Sequence, residues 1–133
     1  MNLETICAAG APRLLSVLRI MAGLLLLQHG TAKILKFPLV PQFANVPVAS
    51  MPGLAGVMEL MGGALIIIGL FTRTTAFLLS GMTAVAYFMV HAGRGFFPIL
   101  NGGELAALYC FVFLYLAAAG PGPWSVDAAL RKR

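Results

Sequence analysis

Five ionisable side chains lie within or at the ends of long apolar stretches, where they could bind a polar ligand or exchange protons. His29 and Lys33 are four residues apart and would share one face of a helix. Glu59 lies in a second apolar stretch, His91 ends a third and Glu104 opens a fourth. A charged group inside a bilayer is costly unless it faces protein or water. These five residues are therefore the first candidates for a site.

Four apolar stretches carry the candidates, from Leu14 to Leu35, from Gly53 to Phe71, from Thr74 to His91 and from Gly102 to Ala119. Each is close to the ~20 residues that a helix needs to cross about 30 Å of hydrocarbon. Pro12 is expected to precede the first helix, because proline is well tolerated at a helix start. The sequence predicts four spanning helices.

Composition supports a polytopic membrane protein. Of the 133 residues, 60% are hydrophobic and 10% are charged, and the mean hydropathy is +0.94. We predict an all-α, antiparallel four-helix bundle that forms a single domain over residues 1–133, with an interfacial tail over 123–133. The net charge of +5 comes from basic residues scattered around the ends of the stretches, so no nucleic-acid partner is expected.

Successive spans run antiparallel, which would bring the candidates into one half of the bilayer. His29 and Lys33 lie near the end of the first span, and Glu59 lies about two turns into the second. His91 closes the third span and Glu104 begins the fourth. The sequence therefore predicts one shared polar site, whichever way the protein is inserted.

Helical spacing adds two stripes to this site. The third span carries a ladder of residues four apart, Thr83, Tyr87 and His91, so Tyr87 joins the candidate ligand-binding residues. The fourth span carries a stripe that we expect to face the same site: Glu104, Leu108, Phe111 and Tyr115.

Glu59 is expected to face into the bundle, because glycines beside it at positions 56, 62 and 63 would let neighbouring helices approach closely. Lys33 is its expected partner, with His29, His91 or Arg94 as alternatives. The polar residues could form a buried ion-pair layer that holds the helices in register. They could also form a pocket for a small molecule. A metal site is not expected, because the Glu-x-x-His spacing of carboxylate-bridged metal sites is absent.

Two segments outside the spans have distinct compositions. The loop from Lys36 to Pro52 alternates prolines with large apolar residues, so it is expected to lie at the membrane interface, either as a lid over the polar residues or as a loop without a gating role. The tail contains Trp124, a possible N-cap at Ser125, and Asp127 in a first turn. It is expected to form a short interfacial helix that acts as an anchor.

Basic residues near the span ends predict orientation. Four spans place both termini on one side, together with a set of five basic residues: Arg13, Arg73, Arg131, Lys132 and Arg133. The opposite side holds Lys33, Lys36 and Arg94. The excess predicts cytoplasmic termini, although the flanks of the first helix alone favour the reverse orientation.

The ordered motifs of the chain resemble those of the DoxX family of small four-helix membrane proteins. The first is His29-Gly30-x-x-Lys33, and the second runs from Glu59-x-x-Gly62-Gly63 to Gly69-Leu70-x-Thr72-Arg73. His91, Gly103-Glu104 and finally Gly120-x-Gly122-x-x-Ser125-x-Asp127 complete the set. The resemblance extends from Leu14 to Asp127.

The resemblance implies a bacterial cytoplasmic (inner) membrane protein associated with redox complexes. The family is similar to the membrane subunit of thiosulfate:quinone oxidoreductase, and this similarity implies quinone as a cofactor and a partner redox protein. His29, Lys33, Glu59, His91 and Glu104 match the polar positions of the family. Arg73 and Asp127 match motifs near the opposite face, where we expect them to set topology.

A mechanism consistent with this resemblance follows from the chemistry of quinones. His29 and Lys33 would donate hydrogen bonds to one quinone oxygen, and His91 or Tyr87 to the other. Glu59 or Glu104 would exchange protons with the outer face. The sequence contains no C-x-x-C, haem-attachment or phosphate-loop motif, so the chain is not expected to be catalytic alone.

Two other functional hypotheses remain. The chain could be a non-catalytic anchor or assembly subunit for a partner oxidoreductase. A small-solute transporter is less favoured, because four helices leave little room for alternating access and no inverted repeat is evident. The glycine face of the second helix is compatible with a homodimer as well as with packing inside one bundle.

Overall fold

A computed structural model describes residues 1–133, and all of its regular structure is helical. Six α-helices follow in chain order: α1 Leu3–Ile34, α2 Met51–Ile68, α3 Thr72–Ala86, α4 Pro98–Asn101, α5 Glu104–Ala119 and α6 Val126–Arg131. Helix α3 continues through a π-helical turn at Tyr87–His91 and a 3-10 turn at Ala92–Arg94. A further 3-10 turn, Pro41–Phe43, lies in the first loop.

The helices divide by length. Helices α1 and α2, and α3 with its extension to Arg94, are long and apolar enough to cross a membrane, whereas α5 is apolar but has 16 residues. The prediction of an all-α membrane protein is confirmed. The count of four spans stays a prediction.

The start of α1 differs from the prediction. The helix begins at Leu3, where the side chain of Asn2 accepts a hydrogen bond from the Thr5 amide at 2.9 Å. Pro12 therefore lies inside the helix and not before it. The Asn2 cap supplies a start upstream, and Pro12 removes only one backbone donor. The first buried residue of α1 is Ser16, so the part that packs against the bundle begins close to the predicted edge.

Glycines bring α1 and α2 into backbone contact. A Cβ atom on Gly30 would lie 2.5 Å from the Leu60 nitrogen, and one on Gly63 would lie 3.0 Å from the Leu27 Cα atom. Gly62 faces Leu79 of α3 instead. The prediction that the glycine face of α2 allows close helix packing is confirmed, and this face packs against α1 and α3 of the same chain.

Helices α3 and α5 form the second closely packed pair. Leu79 packs with Phe113 and Leu116 in the core, and Ser80 donates a hydrogen bond to the Cys110 carbonyl at 2.7 Å. The expectation that Glu104, Leu108, Phe111 and Tyr115 face inward is wrong, because all four are exposed. The inward stripe is Tyr109, Phe113 and Leu116. Since α5 is apolar around its whole circumference, its composition does not distinguish the two faces.

A buried arginine joins three parts of the chain at one end of the bundle. Arg19 is 0% exposed, and its Nη1 donates hydrogen bonds to the carbonyls of Ile66 and Ile67 at 2.5 and 2.6 Å. Its Nε donates to the Pro121 carbonyl at 2.8 Å, and Nη2 donates to the Trp124 carbonyl. One guanidinium thus satisfies the last carbonyls of α2 and ties the C-terminal segment to α1.

The same end contains two further caps. Asp127 of α6 accepts hydrogen bonds from the amides of Phe71 and Thr72, both at 2.9 Å. Arg73 donates to the Ala117 carbonyl at 3.1 Å near the end of α5. Partial burial favours a higher pKa for Asp127, but its hydrogen bonds with Thr72 and Phe71 outweigh this effect and hold the pKa below its ordinary value. Arg73 and Asp127 therefore cap helix ends, a role that their interpretation as topology signals missed.

The tail forms the predicted helix. The Ser125 hydroxyl accepts a hydrogen bond from the Ala128 amide at 3.1 Å, and α6 follows at once. The prediction of a short helix capped by Ser125 is confirmed. Its role as an anchor at the interface stays a prediction.

Replacing Arg19 by methionine should strongly destabilise the fold. The change removes the Arg19 hydrogen bond from four carbonyls, of which Ile66 keeps a second donor, the Gly69 amide at 3.2 Å. We expect this loss to lower the free energy of unfolding by about 3–5 kcal/mol. Arg13→Met on the exposed part of the same helix is the matched control, and it should shift stability by less than about 0.5 kcal/mol. Unfolding by SDS titration in mixed micelles measures both, and equal stabilities would refute the capping role.

Candidate functional site

An ion pair joins α1 to α2 inside the bundle. Lys33 Nζ lies 2.9 Å from Glu59 Oε1, and the two side chains are 12% and 9% exposed. A Cβ on Gly56 would lie only 2.9 Å from the Lys33 Cβ, so this glycine lets the lysine stem pass close to α2. The predicted pairing of Glu59 with Lys33 is confirmed.

Two buried oxygen atoms near this pair have no hydrogen-bond partner in the protein. They are the second carboxylate oxygen of Glu59, Oε2, and the hydroxyl of Tyr109 on α5. Glu59 is 7% exposed and Tyr109 is 6% exposed. Because an unpaired buried polar group costs about 1–3 kcal/mol, these atoms mark a place where a ligand would be stabilised.

His29 completes this group of side chains. It lies one helical turn before Lys33, and its ring meets the Tyr109 ring edge-on with 6.3 Å between the centroids. We name His29, Lys33, Glu59 and Tyr109 the Glu59 cluster. It combines a carboxylate, an ammonium group, an imidazole and a phenol, so it can both donate and accept hydrogen bonds.

The first loop covers the cluster. The Phe43 ring centroid lies 5.2 Å from Lys33 Nζ and 6.5 Å from the His29 ring. Lys36 holds this loop in place: its Nζ donates hydrogen bonds to the carbonyls of Lys33, Phe43 and Val46 at 2.8, 3.0 and 3.1 Å. The loop therefore lies where a lid would lie, and gating by it stays a prediction.

His91 and Tyr87 belong to a different polar group. Asn101, which is 1% exposed, donates a hydrogen bond to the Tyr87 hydroxyl at 3.1 Å, and its backbone carbonyl lies 3.1 Å from His91 Nδ1. The Asn101 side chain also accepts from the Gly103 amide at 2.8 Å. We name Tyr87, His91 and Asn101 the Asn101 cluster. It connects the π-helical end of α3 to the turn before α5.

Glu104 lies apart from both clusters in this chain. It is exposed at the first position of α5, in an open groove that Ile99 and Leu105 also line. The predicted site residues are thus distributed over three places. His29, Lys33 and Glu59 come together, Tyr87 and His91 join Asn101, and Glu104 faces outward.

Tyr109 and Asn101 are the residues that the sequence analysis missed. Tyr109 lies four residues before Phe113 and seven before Leu116, a spacing that marks one helix face. The alternative stripe through Leu108 has the same periodicity and similar apolarity, so spacing could not choose between them. Asn101 precedes two glycines, a pattern typical of a turn, and its burial depends on contacts with Tyr87 that spacing does not reveal.

The donor set does not suit a metal ion. No group of three or more His, Cys, Asp or Glu side chains is arranged to hold one. In the Glu59 cluster the ammonium group of Lys33 already occupies one carboxylate oxygen. The cluster is therefore better suited to hydrogen-bonding an organic ligand than to coordinating a cation.

Removing both partners of the ion pair should cost less stability than the sum of the two single removals. Lys33→Met leaves a buried carboxylate unpaired, and Glu59→Met leaves a buried ammonium group unpaired, so each should cost about 3 kcal/mol or more. The double variant should be less destabilised than the sum of the two, with a coupling of at least about 1 kcal/mol. The unfolding free energies of the wild type, the two single variants and the double variant are measured in micelles. Additive losses would contradict a buried ion pair.

Comparison with known proteins agrees with the motifs and the fold. Residues 14–92 match the DoxX family. A protein of Haemophilus influenzae that carries the name uncharacterized protein is 47% identical over 126 residues, which cover 92% of this chain and 94% of that relative. Inner membrane protein YqjF of Escherichia coli is 31% identical over 128 residues, covering 88% of this chain and 92% of its own length.

A more distant relative is an uncharacterized membrane protein of Mycobacterium tuberculosis, which is 28% identical over 142 aligned positions, covering 95% of this chain and 86% of the relative. No solved structure matches the chain at a significant level. The family match covers more than half of the chain and includes the segments of His29, Lys33 and Glu59. The chain therefore belongs to the DoxX family of membrane proteins.

Proposed function

We propose that this chain is the membrane subunit of a redox complex and binds a quinone head group at the Glu59 cluster. The observation that carries the proposal is the pair of buried, unpaired oxygens on Glu59 and Tyr109. A structural ion-pair layer needs only Lys33 and one carboxylate oxygen. The unpaired Tyr109 hydroxyl is accounted for by a quinone carbonyl that accepts its hydrogen bond, and Glu59 Oε2 by a hydroxyl of the reduced form of the same ligand.

The residues present fit such a head group. A quinone has two carbonyl oxygens on an apolar ring, and it needs hydrogen-bond donors beside an apolar surface. Lys33, His29 and Tyr109 can donate, and the Phe43 ring supplies an apolar face over the cluster. When bound, a quinone supplies a carrier of two electrons and two protons. Lys33 and His29 orient the head group, and Tyr109 holds the second oxygen.

Entry of a ligand requires the first loop to move. The Phe43 ring lies against His29 and Lys33. Lys36 anchors the loop by donating hydrogen bonds to the Phe43 and Val46 carbonyls. Displacing Phe43 would open the cluster towards the membrane interface, where a lipid-soluble ligand arrives. The loop then excludes water when it returns.

The two carboxylates have different parts in the proposal. Glu59 is buried beside Lys33 and can pass a proton to a ligand oxygen as the quinone is reduced, or take it back when the quinol is oxidised. Glu104 is exposed and can exchange protons with the aqueous phase. Tyr87 and His91 are engaged with Asn101, so they reach a head group only after the Asn101 cluster rearranges, and the proposal does not depend on them.

A partner redox protein completes the proposed assembly, because electrons must reach the quinone from outside this chain. The proposed location is the bacterial inner membrane, which the name of the Escherichia coli relative supports. Four spans, with α5 as the fourth, would place both termini on the same side.

The second candidate function is a non-catalytic anchor or assembly subunit. The observation that favours it is the network of Arg19, Arg73 and Asp127, which stiffens one end of the bundle without using a ligand. An anchor of this kind would retain its partner after substitutions in the Glu59 cluster. Transport of a small solute has no specific observation in its favour.

Quinone bound to the purified protein tests the proposed function. The protein is purified in mild detergent and extracted with organic solvent, and its quinones are quantified by mass spectrometry. The wild type should retain about one quinone per chain, and Tyr109→Phe should lose most of it, because the second oxygen loses its donor. Tyr115→Phe on the exposed face of α5 is the matched control and should retain it.

If the folded wild type, purified from its native membrane, contains no quinone, the result would favour the anchor function. Helical circular dichroism and thermal unfolding establish that each variant is folded. Equal retention by Tyr109→Phe and the wild type would exclude the Glu59 cluster as the site.

The proposed orientation has its own test. A fluorescent protein that folds only in the cytoplasm, fused after Arg133, should be bright if both termini are cytoplasmic. Alkaline phosphatase, which is active only after export, should be inactive there and active when it is inserted at Gly95, between the end of the α3 extension and α4. The reverse pattern would place the termini outside and invert the direction in which Glu104 faces.

A further inference from the structure

We infer that the Glu59 cluster selects the reduced, dihydroxy form of the quinone over the oxidised form. This inference rests on the proposed function, and it specifies which redox form of the ligand the site recognises. It follows from the kind of hydrogen-bonding group that the protein leaves unpaired.

Glu59 presents an acceptor without a donor. Its Oε1 accepts a hydrogen bond from Lys33 at 2.9 Å, which favours the ionised carboxylate, and its Oε2 has no partner. An ionised carboxylate only accepts hydrogen bonds. A ligand that completes the cluster must therefore bring an N–H or O–H group to Oε2.

The two redox forms of the ligand differ in this respect. The ring oxygens of a quinone are carbonyls and only accept, so one of them placed beside Oε2 would oppose a second acceptor and leave both without a donor. Each ring oxygen of a quinol carries an O–H group that can donate to Oε2. A hydrogen bond to a buried charged acceptor is short and about twice as strong as a neutral one. The cluster therefore favours the quinol.

Tyr109 contributes affinity without this selectivity. Its hydroxyl can donate to the carbonyl oxygen of a quinone or to the hydroxyl oxygen of a quinol. It is 6% exposed and unpaired, so either form satisfies it. Glu59 and Tyr109 should thus affect binding in different ways, and substitution can separate their effects.

The test compares both redox forms in one preparation. The protein is freed of endogenous quinone, reconstituted in lipid nanodiscs and titrated under argon with decylubiquinone or with decylubiquinol. Isothermal calorimetry gives the two dissociation constants. The wild type should bind the quinol at least about tenfold more tightly, because sites with a buried acceptor reject ligands that lack the donor.

Glu59→Gln is the selectivity variant. A glutamine can keep its oxygen on Lys33 and place its amide N–H group where Oε2 lies, which turns the acceptor into a donor. The preference should disappear or reverse towards the quinone. Glu104→Gln, the same substitution on an exposed carboxylate, is the matched control and should keep the wild-type ratio.

Tyr109→Phe is the affinity variant. It should weaken the binding of quinone and of quinol by a similar factor, about five to tenfold, and leave the ratio of the two dissociation constants unchanged. Removal of a hydroxyl that is unpaired in the free protein should not lower the melting temperature without ligand. Reduced binding by a variant of undiminished stability distinguishes a ligand contact from a structural role.

The outcomes separate the two proposals. Equal affinity of the wild type for both forms would overturn the inference and leave the proposed quinone site standing. Binding of neither form would overturn both. Retention of the tenfold preference by folded Glu59→Gln would also overturn the inference. If Glu59→Gln does not fold, Lys33→Met combined with Glu59→Gln removes the unpaired ammonium group, and loss of the preference is expected there too.

Discussion

The Arg19 guanidinium donates hydrogen bonds to four backbone carbonyls at one end of the bundle, and the arrangement of the helices depends on this interaction. In an apolar environment every backbone polar group needs a partner within the protein. The end of α2, the Pro121 carbonyl and the Trp124 carbonyl all meet this requirement through one side chain. Gly69 contributes by adopting a φ of 71° beside the guanidinium, where a side chain would be strained and would collide with it.

The two ends of the bundle use their buried polar side chains differently. At the Arg19 end, Asp127 and Arg73 add caps to α3 and α5. At the other end, Lys33 neutralises Glu59, but one carboxylate oxygen and the Tyr109 hydroxyl are left without partners. Unpaired buried groups reduce stability. The Glu59 cluster holds two of them, which the proposed ligand would pair, and the Arg19 end holds one, the hydroxyl of Thr72.

Helix pairing explains why the candidate residues are separated. Glycines hold α1 against α2, which brings His29 and Lys33 to Glu59. Helix α3 pairs with α5, and its π-helical end turns Tyr87 and His91 towards Asn101. Residues at a similar depth in the membrane can thus lie in different pairs. Depth alone predicted one site, whereas the lateral packing of the helices separates the Glu59 cluster from the Asn101 cluster.

The sequence by itself determined the helical membrane fold, the inward face of α2, the pairing of Lys33 with Glu59 and the cap at Ser125. Those features depend on local hydropathy, on glycine spacing and on the high cost of an unpaired charge in lipid, and each can be read from neighbouring residues. Only the tertiary structure decided the roles of Arg19, Asn101 and Tyr109. Arg19 bonds to carbonyls about 50 and 100 residues away, and Tyr109 lies on a helix whose faces are equally apolar. Such contacts depend on how helices rotate and pair, which local patterns do not specify.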